Sequence, residues 1–363
     1  MGSENVLLVL EDKEQLIRLN NIVQTDFFKI KLVKLHGHAH LNYLFSTNVK
    51  EFFYVLKSLV FTWFLCLRYR IADVTISSIE PEKYLYLLWL PFLSVKYILH
   101  TEPEPAMSSF TITTCNLRLS KRKLIVTVSC SMKAVICRHW GINAPCQNLV
   151  IVIYNCIGSA DSKKTGTAAK PKDKLLVTTL GHVDIRKNPK IWLEVAKKVT
   201  AIRSQVEFNW LGDGILLNEF AAATETETSI KFLGKIENCM PHLEKSAIYY
   251  QPSKLEPHGI AVLEAMYSHL PCVVSNVGGL PESVRDSYNG FVVDPLNADQ
   301  HAEALLALID HPEIREKFAM HSYHRYERYF SYEQFRLKMN AIYSDGPPLK
   351  QFTSQDTEPC SLR

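Results

Sequence analysis

The sequence contains no Cys-x-x-Cys pair. Its nine cysteines are scattered from Cys66 to Cys360, and their number is odd. That usage argues against a disulfide framework and against a zinc site, and for a reducing cytoplasm. No stretch reaches the roughly 20 uninterrupted apolar residues that a membrane-spanning helix needs. The two longest apolar stretches are both interrupted. Phe52 to Leu67 carries Lys57 and ends at Arg68, and Tyr84 to Leu99 carries Pro91 and Lys96. Buried helices and strands are one account of them. A segment lying in a membrane interface is the other. The first residues, Met1 to Val6, lack a basic region followed by a long apolar run, so no secretory signal is expected.

What is present is a globular composition: 363 residues, 47% apolar and 21% charged. That length is too great for one ordinary core and about right for two domains. The charge is uneven. Lys+Arg against Asp+Glu runs 17 to 11 over residues 1–150 and 24 to 26 over the remainder. A basic first half suits an ordinary solvated surface or an anionic lipid, nucleic acid or phosphorylated substrate.

Short apolar runs at Val6 to Leu10, Lys29 to Leu35, Ala72 to Ser77 and Val95 to Leu99 read as strands, with a helix over residues 11–28. Leu124 to Ser129 and Val150 to Tyr154 are stronger strands of the same kind. The composition then changes. Residues 158–174, GSADSKKTGTAAKPKDK, hold no large apolar side chain and read as a flexible connector. A second alternating series follows: strands at Leu175 to Leu180, Val206 to Leu211, Lys231 to Leu233, Ile248 to Gln251 and Pro271 to Ser275, with a helix over Asn188 to Ile202. Strands alternating with helices indicate parallel, doubly wound sheets. The expected organisation is a first α/β domain over 1–157, the linker 158–174, and a second α/β domain over 175–330. A helix over 331–345, able to pack back on the first domain, and a disordered tail over 346–363 complete it. Two such domains suggest a cleft, with ligands at the carboxyl ends of the strands.

The chemistry concentrates in Ser253 to Glu282, SKLEPHGIAVLEAMYSHLPCVVSNVGGLPE. Glu256 ends a loop after a strand. Pro257 suits the turn into a helix, and Gly259 allows a ligand close to the backbone. The helix then runs over 259–268. Its first free amides, near Gly259 and Ile260, can hold phosphate oxygens with help from the helix dipole. Glu264 lies more than one turn further in. A strand, a Gly278-Gly279 turn and Pro281-Glu282 follow. Either glutamate alone would read as a solvated or capping residue; the combination is harder to dismiss.

These motifs resemble the retaining family-four glycosyltransferases of the GT-B fold, two Rossmann-like domains facing a cleft. Their signature, a glutamate, seven residues and a second glutamate, is written here as Glu256 to Glu264. Their Gly-Gly-hydrophobic-Pro-Glu is written as Gly278 to Glu282. The resemblance covers roughly residues 125–340. It implies that Glu264 binds the ribose of a nucleoside diphosphate sugar, that Glu256 contacts the transferred sugar, and that Gly259 and Ile260 hold the diphosphate. The base would sit near Gly212 to Gly214 and Lys235–Ile236. Lys187 matches the family's lysine. Its arginine is replaced by His182, with Arg186 adjacent to Lys187 in sequence. His100 sits where the family often places a histidine near the sugar. No cofactor and no metal is implied, and no nucleic-acid partner.

The first domain departs further from the family. The loop after its first strand, Glu11-Asp12-Lys13-Glu14, lacks the family's glycines. The run Glu102-Pro-Glu104-Pro could bring a carboxylate near His100, though a polar loop accounts for it equally. His36, His38 and His40 alternate as strand residues on one face do, but no fourth metal ligand accompanies them. The expected function is transfer of a sugar, with retention, to a glycan or lipid-linked acceptor in cell-surface polysaccharide or glycolipid synthesis. The expected place is the cytoplasm, with peripheral contact on the inner face of a membrane. The alternative is a catalytically impaired GT-B protein that binds nucleotide sugar or partners a working transferase.

Overall fold

The computed structural model describes residues 56–57, 60–64, 66–68, 73–77, 85, 87–100, 116–157 and 174–343, and the backbone of 6–9 and 30–33. Outside the described residues lie the helix expected over 11–28, the Glu11 to Glu14 loop, His36, His38, His40 and the Glu102 to Glu104 run. The connector up to residue 173 and the tail from 346 lie outside them as well. The chain divides into two compact units. One is Met1–Thr127 with Lys133–Val152, and the other is Val128–Met132 with Ile153–Arg363.

In the first unit β1 (Val6–Val9) pairs in parallel with β2 (Ile30–Val33). A separate parallel sheet has the order β3 (Asp73–Ser77), β4 (Ser94–Leu99), β5 (Lys123–Thr127), β6 (Val150–Val152). β5 is buried along its whole length, which is why it reads as an unbroken apolar run rather than an alternating one. Two lysines are buried in these strands, and both are partnered. Lys96 pairs with Asp73 at 2.6 Å and donates to Ser94. Lys123 donates to the carbonyls of Leu88 and Leu90. The strand expected to reach Ser129 stops at Thr127, because Ser129 turns the chain into helix α1 (Cys130–His139) and its hydroxyl accepts from the Met132 amide at 3.1 Å. A short α2 (Ala144–Gln147) follows.

The second unit holds a six-stranded parallel sheet of β7 (Leu175–Leu180), β8 (Val206–Leu211), β9 (Ile230–Phe232), β10 (Ile248–Gln251), β11 (Cys272–Ser275) and β12 (Gly290–Val293). The spatial order is β12-β11-β10-β7-β8-β9. β7 and β10 are neighbours, so the chain reverses its winding between them. The loops that leave their carboxyl ends meet, the Lys254 amide donating to the Arg186 carbonyl at 2.7 Å, at the kind of switch point where ligands of such sheets bind. Its helices are α3 (Pro189–Ile202), α4 (Leu217–Ala222), α5 (Met240–Lys245), α6 (Ile260–Tyr267), α7 (Leu280–Ser283), α8 (Ala298–Asp310), α9 (Pro312–Tyr329) and α10 (Tyr332–Tyr343). Trp192 on α3 meets Phe208 and Trp210 of β8 edge to face, and all three are fully buried. Aromatic burial of this kind anchors the helix to the sheet and holds the loop between β7 and α3 in place. In the helix expected over 331–345, the Lys338 ammonium lies 5.7 Å over the Tyr154 ring. Both residues belong to the second unit. No helix among the described residues is long and apolar enough to cross a membrane.

Candidate active site

The loop after β7 brings the lysine to the centre. Asp184 caps a single 3-10 turn, Ile185–Lys187, accepting from the amides of Arg186 and Lys187. The turn directs Lys187 back over Gly181, where an added Cβ would stand 3.1 Å from its Cε. The adjoining loop after β10 supplies Glu256. Lys187 Nζ forms an ion pair with Glu256 Oε2, and both side chains are largely buried, at 16% and 12% exposure. The Gln251 amide donates to the same oxygen at 2.8 Å.

Glu256 leads directly into the helix start. Gly259 adopts φ 93° and ψ 74°, left-handed backbone that disfavours any side chain. A Cβ there would meet Glu256 Cγ at 3.4 Å and Leu280 at 3.0 Å. The amides of Gly259 and Ile260 make no hydrogen bond to described backbone. They are the free donors of a helix amino terminus. The double-glycine turn holds this loop from below. The Gly279 amide donates to the Glu256 carbonyl at 2.9 Å. Gly278 has φ 52°, and a Cβ on it would lie 1.8 Å from the same carbonyl oxygen. Glu264 sits one turn along α6. Its charge and that of Glu256 both act on the buried Tyr249 phenol, whose pKa is raised well above the ordinary value, mainly by burial.

The other expected residues are placed as follows. His182 Nδ1 lies 2.7 Å from Asp213 Oδ1, both at least half exposed. The Arg186 guanidinium is turned to Asp184, at 2.7 Å. Lys187, His182 and Arg186 thus each lie against a carboxylate. Gly212 and Gly214 have φ of 151° and 150°. A Cβ on Gly212 would fall 2.0 Å from the Gly181 carbonyl, and one on Gly214 would fall 2.5 Å from that of Val183. Close approach of two backbones accounts for both glycines. Lys235 is exposed and Ile236 half-buried. They follow Gly234, whose carbonyl accepts from the Gly212 amide at 2.8 Å. His100, in the first unit, ends β4 at its carboxyl edge, and partial desolvation lowers its pKa below the ordinary imidazole value.

Glu282 entered the sequence analysis only as the last letter of a motif. It is fully buried. Its carboxylate accepts from the amides of Cys130 and Ser131 at 2.8 Å each and from the Tyr154 hydroxyl at 3.0 Å. It caps the first turn of α1 and satisfies amides that would otherwise be orphaned. Cys130 is itself disulfide-bonded. His258, also unassigned by sequence, is fully buried. It stacks on Tyr154 at 5.1 Å and lies 5.6 Å from Phe330. Burial pushes its pKa down to about 3, so it is neutral. Gln251 and Tyr249 passed as ordinary strand residues, since a strand pattern does not reveal which polar side chain meets the Glu256 carboxylate.

Residues 161–325 match the family described as Glycosyl transferases group 1. Over 146 residues the chain is 30% identical to a UDP-Gal:alpha-D-GlcNAc-diphosphoundecaprenol alpha-1,3-galactosyltransferase of Escherichia coli, covering 38% of each protein. Over 152 residues it is 27% identical to an alpha-D-kanosaminyltransferase of Streptomyces kanamyceticus, covering 40% of this chain and 39% of that one. The matched region thus spans about two fifths of these relatives. Among solved structures, a glycosyltransferase of Rickettsia africae superposes with a TM-score of 0.74 at 15% identity, covering 95% of this chain and 90% of that one. Anabaena HepE in complex with UDP superposes with a TM-score of 0.68 at 16% identity, covering 94% and 92%. The fold is α/β of the GT-B type. The similarity to the glycosyl transferases group 1 family is confined to that segment, 161–325.

Proposed function

We propose that the protein is a glycosyltransferase that takes a sugar from a nucleoside diphosphate sugar and passes it, with retention, to a glycan or lipid-linked acceptor. The observation that carries this is the convergence of Lys187 and Glu256 beside the free amides of Gly259 and Ile260. A departing diphosphate needs positive charge where its own charge grows, and a lysine with a helix amino terminus supplies it. Lys187 then stabilises the leaving group, with His182 and Arg186 beside it once their carboxylates release them. Glu256 holds hydroxyls of the transferred sugar and Glu264 the ribose. Gly212 to Gly214 and Lys235–Ile236 border the base. His100 serves the sugar from the first domain, and no metal is required. Val60, Trp63, Phe64 and Leu67 are exposed near Lys57 and Arg68, a pattern that suits peripheral contact with an anionic membrane carrying a lipid-linked acceptor. The relatives' printed substrates, a UDP-sugar donor and a diphosphoundecaprenol acceptor, agree with both ends of the reaction.

The test is incubation with a panel of nucleotide sugars, with and without chelator, following slow donor hydrolysis. Hydrolysis of one donor that persists in chelator is the expected result. Tight binding without hydrolysis or transfer would make the protein a nucleotide-sugar-binding partner instead. Full, reversible loss in chelator would remove the metal-free mechanism.

A further inference from the structure

Beyond Glu256 and Lys187, the structure assigns a positioning role to Gln251. With Tyr249 behind it, the Gln251 amide holds one carboxylate oxygen of Glu256, Oε2, and leaves the other, Oε1, to the transferred sugar. This rests on the glycosyltransferase function proposed above.

Gln251 is the last residue of β10 and is fully buried. Every hydrogen-bonding capacity of its NH2 group is used. One hydrogen goes to Glu256 Oε2 at 2.8 Å and the other to Ser253 Oγ at 3.1 Å. Its carbonyl oxygen accepts from the Tyr249 hydroxyl at 2.7 Å. The partners settle which way the amide points. The Tyr249 phenol is wholly buried and its pKa is raised far above the ordinary value, so it keeps its proton and has one to donate. The amide oxygen must face it, and the NH2 edge must face Glu256. A flipped amide would set a carbonyl against a carboxylate and a donor against a donor.

Residues 249 and 251 share a face of the strand because side chains alternate along it. The polar row is therefore built by the register of β10, not by the loop that carries Glu256. Gln251 and Lys187 both engage Oε2, and the hydrogen bonds of the described residues include none to Oε1. Lys187 alone would not choose between the oxygens. An ammonium on a flexible stem is a point charge that follows whichever oxygen turns toward it. The planar, fully satisfied amide removes that freedom. A hydroxyl of a bound sugar then meets a pre-oriented acceptor.

The experiment uses the full chain, the donor identified by hydrolysis in the panel, and nucleoside diphosphate binding by calorimetry. Three variants are compared with wild type: Gln251→Met, Tyr249→Phe and Gln251→Glu. Gln251→Met is expected to lower kcat at least about tenfold, with the donor KM and nucleoside diphosphate affinity nearly unchanged. Tyr249→Phe is expected to lower kcat in the same direction by less. Gln251→Glu sets a second carboxylate against Glu256. Two such groups do not both ionise freely, so the acid limb of the pH–rate profile should move up by about one pH unit or more. A merely structural role would lower stability without moving that limb. Should Gln251→Met fail to fold, Tyr249→Phe, which lacks one hydroxyl, carries the kcat comparison. Unchanged kcat in the folded variants, or a Gln251→Glu profile that superimposes on wild type after scaling, overturns the role of Gln251. A wild-type protein that binds no nucleoside diphosphate and hydrolyses no donor overturns the proposed function itself, a result distinct from the first two.

Discussion

Lys187 and Glu256 neutralise each other before any donor arrives, and this shapes what substitution should do. Under the proposed function, an incoming diphosphate has to draw Lys187 away from Glu256. Glu256→Gln removes the competing charge. Nucleoside diphosphate affinity should stay the same or tighten, while turnover falls by about a hundredfold through loss of the sugar contact. Calorimetry beside single-turnover kinetics separates the two, and an equal loss of binding and turnover would contradict this division. Glu264 should behave in the opposite way. Glu264→Ala deletes a charge-assisted acceptor for the ribose, worth roughly 1.5–3 kcal/mol, and should weaken the nucleotide itself. A folded Glu264→Ala protein with wild-type affinity would take this residue out of the site.

At the scale of elements, the site is a set of loops pressed together by glycine. Gly278 approaches the Glu256 carbonyl, and Gly212 approaches that of Gly181. Both have positive φ. Gly278→Ala therefore adds a steric collision to a backbone strain of about 1–3 kcal/mol. It should lower the melting temperature and disturb Glu256 together, so stability and turnover fall in one variant. Gly234 also has positive φ, but a Cβ there would meet only Leu217 at 3.9 Å. Gly234→Ala should pay the strain without the collision and keep more of the activity. If thermal melts and rates of the two variants match, close packing of the Gly278 turn is not what holds the Glu256 loop. Gly278 stood out in the sequence as part of a turn, but the carbonyl it approaches belongs to Glu256 in another loop, which no local pattern names.

For the whole molecule, the consequence concerns acid. His258 and His301 are fully buried, and burial pushes their pKa values down to about 3 and about 4 from 6.5. The unfolded chain takes up a proton on each near the ordinary value, which the folded chain refuses until the lower one. The stability that neutral burial carries is complete above pH 6.5 and is lost as pH falls toward 4. Each histidine contributes a slope of up to about 1.4 kcal/mol per pH unit over that range. Replacing His258 by Phe also removes a buried ring nitrogen, Nδ1, that lacks a hydrogen-bond partner. His258→Phe should flatten the acid loss, while at neutral pH the lost contact of Nε2 with the buried Ser283 hydroxyl at 3.5 Å offsets that gain. Denaturant melts at pH 5 and pH 7.5 on both proteins decide it. An unchanged slope would mean that this imidazole is not held neutral by the fold.

The local sequence by itself determined the parallel strands of the second unit. Buried strands of a parallel sheet are written as short β-branched runs between glycines, and β7, β8 and β10 were legible to the residue. It also singled out Glu256, Gly259 and Glu264, because a helix start and the loop before it are written within a few consecutive residues. β12 was not anticipated, since four residues with only their ends buried carry little periodic signal. Tertiary structure alone decided the partners. Lys187 and Glu256 are 69 residues apart, Cys130 and Glu282 are 152 apart, and His182 meets Asp213 across two loops. The turn of Arg186 onto Asp184, two residues away, and the contact of Gln251 with Glu256, five residues on, are by contrast local in the chain. The physical reason is that pattern and propensity act over one or two turns of chain. Ion pairs and buried amides are fixed by strand order and crossover, which bring distant carboxyl ends of strands to one edge of the sheet.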